Sequence, residues 1–286
     1  MRKPTIGWIG LGKMGIPMSL QLLKAGYPVT VYNRNKEKEQ VFRSSGAVVA
    51  ASPSLLITMS DIVILMVSDD QATRDIFTGK DGLMGADTAN KIIINMSTVS
   101  PAVSKEMAAL CKTKSHHYMD APVSGSVKQA TDGQLVVMAG GEAAIFEQVK
   151  PVLETMGKMA MLVGTTGAGN TAKLAINSLL AIYAQGLAET VLFAKEHAID
   201  TGDLLTLLNN GALGNIFTKI KGDAILQDNY EAAFMLKHIV KDLGLARDEG
   251  LKAPLGEAAF QTFQKASRDY GEEDIIAVIK QLQVTK

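Results

Sequence analysis

A glycine-rich loop set between a strand-like run and a helical run constrains this chain more than any other feature. Thr5-Ile6-Gly7-Trp8-Ile9 is apolar and strand-like, Gly10-Leu11-Gly12-Lys13-Met14-Gly15 follows at once, and residues 16–25 have helical texture. In such a loop Gly10 makes the tight turn, Gly12 lets a pyrophosphate approach the backbone, and Gly15 lets helix and strand pack closely. The phosphates then sit on the helix N-terminus. A GxGxxG by itself is equally a plain turn. Its context points to a dinucleotide site, because a second strand, Pro28-Val29-Thr30-Val31-Tyr32, closes a βαβ unit of about 30 residues.

An NAD site carries an acidic residue at the end of that second strand, whereas this chain has Asn33-Arg34-Asn35-Lys36, with Lys38 beyond. A carboxylate there would repel a 2′-phosphate; a guanidinium grips it through several charge-assisted hydrogen bonds. The reading is NADP(H), with a solvated basic turn as the alternative. Further along, Asp61-Ile62-Val63-Ile64-Leu65-Met66-Val67 and Ile92-Ile93-Ile94-Asn95-Met96 are short apolar runs, as expected of strands covered on both faces by helices. Each ends in small polar residues, and ligands in such sheets collect outside the carboxyl ends of the strands. Val67, Ser68, Ser97 and Thr98 should therefore border the cofactor, although Ser97 could equally serve as a helix cap beside Ser100 and Pro101. Ser124-Gly125-Ser126, after Met119-Asp120-Ala121-Pro122-Val123, gathers hydroxyls and backbone N–H groups in one loop and suits a carboxylate. Asp132-Gly133 reads as an ordinary turn.

Composition sets limits. The 286 residues carry 29 basic and 29 acidic side chains and are 47% hydrophobic, enough for a real core in two domains. A balanced charge gives no reason to expect nucleic acid or an anionic membrane as partner. The single Cys111 has no internal disulfide partner and reads as a buried thiol. No signal-like apolar core stands at the N-terminus, and no uninterrupted apolar segment reaches about 18 residues, so a cytoplasmic protein is expected.

After Val163-Gly164 the texture turns helical, which places the domains at residues 1–163 and 164–286. Residues 169–197 form one long pattern with apolar residues nearly all round, a helix to be buried against another copy or the rest of a helical domain. Such a helix spans roughly 40 Å and could join two domains, and a homo-oligomer is expected. Lys173 and Asn177 lie four residues apart in its first turns, on the same side, facing the join. An ammonium beside an amide can protonate and hold a carbonyl oxygen; the alternative is a lysine whose stem covers core while its head reaches water. Further helices are expected over 201–209, 217–226 and 234–246, with two more up to residue 282.

Together these residues resemble a family. The glycine loop, Asp120-Ala121-Pro122-Val123-Ser124-Gly125, Gly167-Ala168-Gly169-Asn170 with Lys173 and Asn177, and Lys241-Asp242-Leu243 stand in the order and spacing of the β-hydroxyacid dehydrogenases, relatives of 3-hydroxyisobutyrate and 6-phosphogluconate dehydrogenases. The resemblance covers essentially the whole chain. Val31-Tyr32-Asn33-Arg34, Met96-Ser97-Thr98-Val99, Asp132-Gly133-Gln134-Leu135 and Phe234 with Leu236-Lys237-His238 are most similar to the glyoxylate/succinic semialdehyde reductase subgroup. Ser126 and Ile176 depart from the wider family and fit that subgroup better.

The resemblance implies a Rossmann-type doubly wound α/β domain followed by an all-α domain, joined by a long helix. It further implies NADPH-dependent reduction of small carboxylate-bearing aldehydes, with Lys173 as general acid and Asn177 orienting the carbonyl or the amine. Ser124, Gly125 and Ser126 would hold the substrate carboxylate, Thr98 would border the nicotinamide, Phe234 and Asp242 would close the pocket from the second domain, and Lys241 would stand near the cofactor. His238 reads as a packing or surface residue. The nearest rival is a 3-hydroxyisobutyrate or tartronate semialdehyde type dehydrogenase, which Arg34 disfavours where that enzyme uses NAD. A module without turnover and an imine reductase are both argued against by Lys173.

Overall fold

The computed structural model describes residues 2–284. Its first part alternates strands with helices: β1 (Ile6–Ile9), α1 (Gly15–Lys24), β2 (Val29–Tyr32), α2 (Gln40–Ser44), β3 (Val48–Val49), α3 (Pro53–Thr58), β4 (Ile62–Leu65), α4 (Asp70–Thr78), β5 (Ile92–Asn95) and α5 (Pro101–Thr113). Then come β6 (His117–Asp120), β7 (Val123–Ser124), α6 (Val127–Thr131), β8 (Leu135–Gly140), α7 (Ala143–Met156) and β9 (Gly157–Gly164). The strands form one sheet in the order β3-β2-β1-β4-β5-β6-β8-β7, with β9 beside β8. From β3 to β6 every pairing is parallel; β8 runs antiparallel to β6 and β7 and parallel to β9.

Every residue of β1, β4 and β5 is buried, as the continuous apolar runs require. Alternate residues serve opposite faces. Trp8, Ile62, Ile64 and Ile94 pack with Met18 and Leu22 of α1 and Val149 and Leu153 of α7. Val63, Leu65 and Ile93 pack with Leu56 of α3, Phe77 of α4 and Met107 of α5. Strand β9 carried no signal that sequence reasoning used, because its residues alternate between the surface and partial burial instead of forming a covered run. Cys111 is buried as expected, and burial pushes its thiol up to about 12.

The remaining elements are helical: α8 (Ala168–Glu196), α9 (Thr201–Asn210), α10 (Ile216–Leu226), α11 (Leu236–Asp248), α12 (Pro254–Tyr270) and α13 (Val278–Val284). Contacts divide the chain into units Met1–Lys173 and Leu174–Lys286, so the division falls inside α8 and not at 163/164. The reason is local. The first turns of α8 are hydrogen-bonded to the ends of β5 and β6, through Asp120 and Asn170. In the helical unit, Ala181, Ala184, Ala188 and Val191 of α8 share a core with Leu236 and Ile239 of α11, Phe260 and Phe263 of α12, and residues 275–279.

Two expectations change. Helix α8 is not buried all round: Ile176, Leu179, Tyr183 and Phe193 line up at helical spacing and are exposed. By length and composition alone it is the one helix among the described residues that could cross a membrane, yet its small residues pack in the helical core. Secondly, Phe234 precedes α11 instead of starting it. Asp274 Oδ2 accepts from the backbone N–H groups of Ala233 (3.1 Å) and Phe234 (3.2 Å), and Met235 makes an antiparallel bridge to Asp274, which holds this stretch extended.

Asp274 is also one half of a buried ion pair, its Oδ1 accepting from Lys221 Nζ at 2.7 Å and from Ile276 N–H at 3.1 Å. Truncating the carboxylate leaves a buried ammonium and three N–H groups without their acceptor. Asp274→Ala should therefore lower the stability of the helical unit by about 3–5 kcal/mol, read from urea unfolding followed by circular dichroism.

Candidate active site

The glycine loop is built as a cradle for an anion. Gly10 has φ +103°, and a Cβ on it would strike the Met66 carbonyl, so only glycine makes this turn. A Cβ on Gly15 would strike the Gly10 carbonyl where α1 begins. Over Gly12 a Cβ would meet nothing within 4 Å. That space is what an approaching phosphate needs. The N-cap residue Met14 supplies no side-chain acceptor, which leaves the N-terminus of α1 for a ligand oxygen. Lys13 is exposed beside it.

Asn33 serves the loop itself: its Oδ1 accepts from Leu11 N–H at 2.9 Å, and its Nδ2 donates to the Asn35 carbonyl at 2.7 Å. Its own N–H donates to Glu39 Oε1 at 3.1 Å, and Glu39 is wholly buried between Lys36 and Arg43. This buried carboxylate escaped the sequence reading because Lys36-Glu37-Lys38-Glu39 looks like a solvated charge run. Arg34 stands exposed at the turn so fixed, and Lys36 Nζ lies 4.2 Å over the Tyr32 ring.

At the carboxyl ends of β4 and β5, Ser97 is neither a helix cap nor exposed to a ligand. It is buried, its Oγ accepts from Val67 N–H at 2.8 Å, and its N–H donates to Asn95 Oδ1 at 3.0 Å. Ser100 caps α5 by accepting from Val103 N–H at 3.0 Å, and its own N–H donates to Asp70 Oδ1 at 2.8 Å. Thr98, half-buried, is thus held between anchored neighbours, and Ser68 is exposed one residue beyond Val67.

The loop after β7 is partly committed to its own structure. Gly125 has φ +136°, and a Cβ there would lie 2.7 Å from Leu135 Cδ2 and 3.0 Å from Gln129 Cβ. Gln129 Oε1 takes both the N–H (2.8 Å) and the hydroxyl (2.5 Å) of Ser126. Both Ser126 donors are therefore occupied, so Ser124 and the Gly125 backbone are left as donors toward a carboxylate.

Lys173 lies in the second turn of α8, and two residues sequence reasoning gave no role anchor that turn. Asp120, at the end of β6 and wholly buried, accepts from Gly167 N–H at 2.7 Å and Asn170 N–H at 2.8 Å. Burial pushes its carboxyl above the ordinary value, and the N–H groups of Gly167, Asn170 and Gly169 work against that shift. Asn170, also wholly buried, accepts from Val99 N–H at 3.0 Å and donates to Ser104 Oγ at 3.1 Å.

In the helical unit, Asn177 Nδ2 donates to Asp242 Oδ2 at 2.6 Å, both residues being buried. A carboxylate only accepts, so this contact settles which way the amide faces. Lys241 Nζ lies 3.1 Å from Asp242 Oδ1, an atom buried with no aligned hydrogen bond. The Phe234 ring stacks near His238, with centroids 6.4 Å apart. Burial, then Lys241 and Lys237, hold the His238 imidazole below its ordinary value, so it is neutral at pH 7.

Comparison with known proteins finds relatives over nearly the whole chain. Residues 5–165 match the family model for the NAD binding domain of 6-phosphogluconate dehydrogenase, and residues 167–282 match that for NAD-binding of NADP-dependent 3-hydroxyisobutyrate dehydrogenase. The chain is 34% identical to glyoxylate/succinic semialdehyde reductase 1 of Arabidopsis thaliana, over 98% of this chain and 99% of the relative. Against the chloroplastic reductase 2 of the same plant the identity is 33%, over 99% of this chain and 80% of the relative. The structure of Mycobacterium tuberculosis 3-hydroxyisobutyrate dehydrogenase with L-serine superposes with a TM-score of 0.90 at 29% identity, covering 98% of this chain and 99% of that one.

The two loop glycines should separate folding from binding. Gly12→Ala meets open space, so it should shift Tm by less than about 3 °C while weakening NADPH binding about tenfold or more. Gly10→Ala is strained whether or not ligand is present and should lower Tm in the free protein. Thermal melts and NADPH fluorescence titration of both variants check the pair.

Proposed function

This chain belongs to the β-hydroxyacid dehydrogenase family of NAD(P)-dependent oxidoreductases acting on CH–OH groups, and from that premise we propose that it reduces small carboxylate-bearing aldehydes with NADPH. The substrates are of the glyoxylate and succinic semialdehyde class. NADPH supplies the hydride to the carbonyl carbon. Lys173 gives a proton to the carbonyl oxygen and stabilises its developing negative charge. The observation that carries this reading is the anchoring of the Lys173 turn to Asp120 and Asn170 at the ends of β5 and β6, the end of the sheet where ligands collect.

The other residues have roles that follow from their chemistry. The N–H groups at Gly12, Lys13, Met14 and Gly15 bind the pyrophosphate, with Gly10 and Leu11 shaping the turn, and Val67, Ser68 and Thr98 border the nicotinamide half. Arg34, exposed beside the turn that Asn33 and Glu39 hold, binds the 2′-phosphate. Ser124 and Gly125 bind the substrate carboxylate, and Ser126 acts by holding the loop through Gln129. Asn177, four residues after Lys173 on the same helix and fixed by Asp242, orients the reacting groups, and Lys241 holds Asp242 by charge. The exposed line Ile176, Leu179, Tyr183 and Phe193 supports a homo-oligomer assembled through α8.

Lys173→Ala should lower kcat for succinic semialdehyde by about three orders of magnitude or more while NADPH affinity stays within about threefold. Retention of most of the activity, measured as NADPH absorbance, would reject the lysine as proton donor. Arg34→Ala should raise KM for NADPH at least about tenfold more than KM for NADH. Equal changes for the two cofactors would mean that Arg34 does not read the phosphate.

A further inference from the structure

We propose that Asp120 and Asn170 are positioning residues that hold the Lys173 turn of α8 in register with the Thr98 loop; the proposal rests on Lys173 as proton donor. Asp120 occupies the N-terminus of α8, where its carboxylate accepts Gly167 N–H at 2.7 Å and Asn170 N–H at 2.8 Å. A buried carboxylate at the positive end of a helix, receiving its first N–H groups, fixes both the rotation and the height of that helix end. Lys173 is three residues after Asn170, so its Cα has almost no freedom left relative to β6.

Asn170 carries the second constraint. Its backbone is held by Asp120 while its side chain accepts from Val99 N–H at 3.0 Å and donates to Ser104 Oγ at 3.1 Å. Thr98 sits between Ser97, whose N–H donates to Asn95 Oδ1 at 3.0 Å, and Val99. One amide thus joins the acid's helical turn to the loop expected beside the nicotinamide. The glycines around it confirm how tight the join is. A Cβ on Gly140 would lie 2.7 Å from Asp120 Oδ1, and one on Gly169 would lie 2.9 Å from Asp120 Oδ2. Gly167 has φ +94°, which only glycine adopts without strain. The stretch Gly167-Ala168-Gly169-Asn170 therefore exists to bring a helix end onto a buried carboxylate.

Neither residue is a proton donor in the reaction; each acts through Lys173. Asp120→Asn keeps the volume but turns one acceptor into a donor, so one of the two N–H groups faces another N–H. Asn170→Ala frees the Val99 N–H and leaves charge unchanged. In succinic semialdehyde reduction each variant should lose about 100-fold in kcat, the cost of a displacement of about 1 Å at the reacting atoms, with NADPH dissociation constants within about threefold of the parent. Added to Lys173→Ala, either change should alter the residual rate by less than about threefold, because the group being positioned is gone. Hydrogen exchange in the cofactor-free protein should show lost protection confined to residues 97–100 and 167–173.

The proposal is overturned if folded, NADPH-binding Asp120→Asn and Asn170→Ala proteins keep kcat within threefold of the parent. Equal proportional losses with and without Lys173 would overturn it as well, by marking a general structural defect. Should Asp120→Asn fail to fold, Asn170→Ala decides alone. Full activity of Lys173→Ala removes the acid assignment itself, a result separate from any of these.

Discussion

The N-terminus of α8 on the buried Asp120 carboxylate is the contact that fixes the turn carrying Lys173. Each N–H it receives is a charge-assisted hydrogen bond in a place water does not reach, worth about 1.5–3 kcal/mol. An isolated carboxylate at this depth would be costly. The helix supplies the compensation, and in return the carboxylate gives the helix a fixed origin. The same logic recurs at the other sites, where side chains of Asn33, Asn95, Asp70 and Gln129 hold backbone N–H groups of the loops that follow the strands. Loops built this way are pre-organised for a ligand, since little of their freedom is left to lose on binding.

Sequence reasoning reached the sheet, the glycine loop and the helical half because each leaves a periodic or positional signal. Continuous apolar runs became the central strands, and the three loop glycines occupy the turn, open and close-packed positions that their spacing requires. Elements without such a signal were missed. Strand β9 has surface residues along most of its length, and Phe234 has helix-like neighbours but is held extended by Asp274, 40 positions away in sequence. A hydrogen bond across that separation leaves no local trace.

The candidate site divides along the same line. Residues proposed to meet a ligand could be nominated from the sequence, because the proposed reaction fixes the chemistry they need. Residues that hold those in place could not. Glu39 lies in a run of charges and is nonetheless wholly buried; Asp120 and Asn170 stood inside recognisable motifs with no task attached. Ser97 was read equally as a helix cap or a cofactor contact and Ser126 as a substrate group; in the fold the Ser97 hydroxyl accepts from Val67 N–H and the Ser126 hydroxyl donates to Gln129. Burial of a polar side chain depends on what packs over it, and that is a property of the tertiary structure.

The crowding around Asp120 has an evolutionary corollary. No side chain larger than a hydrogen fits at 140 or 169: beside the Asp120 carboxylate, a Cβ on Gly169 would strike the Met138 carbonyl oxygen, and one on Gly140 would lie 2.7 Å from the Gly169 nitrogen and 2.8 Å from the Thr165 carbonyl oxygen. A smaller residue at 120 would open neither position, because backbone atoms of Met138, Thr165 and Gly169 close both independently of the acid. In divergent homologues both glycines should persist even where the residue at 120 changes.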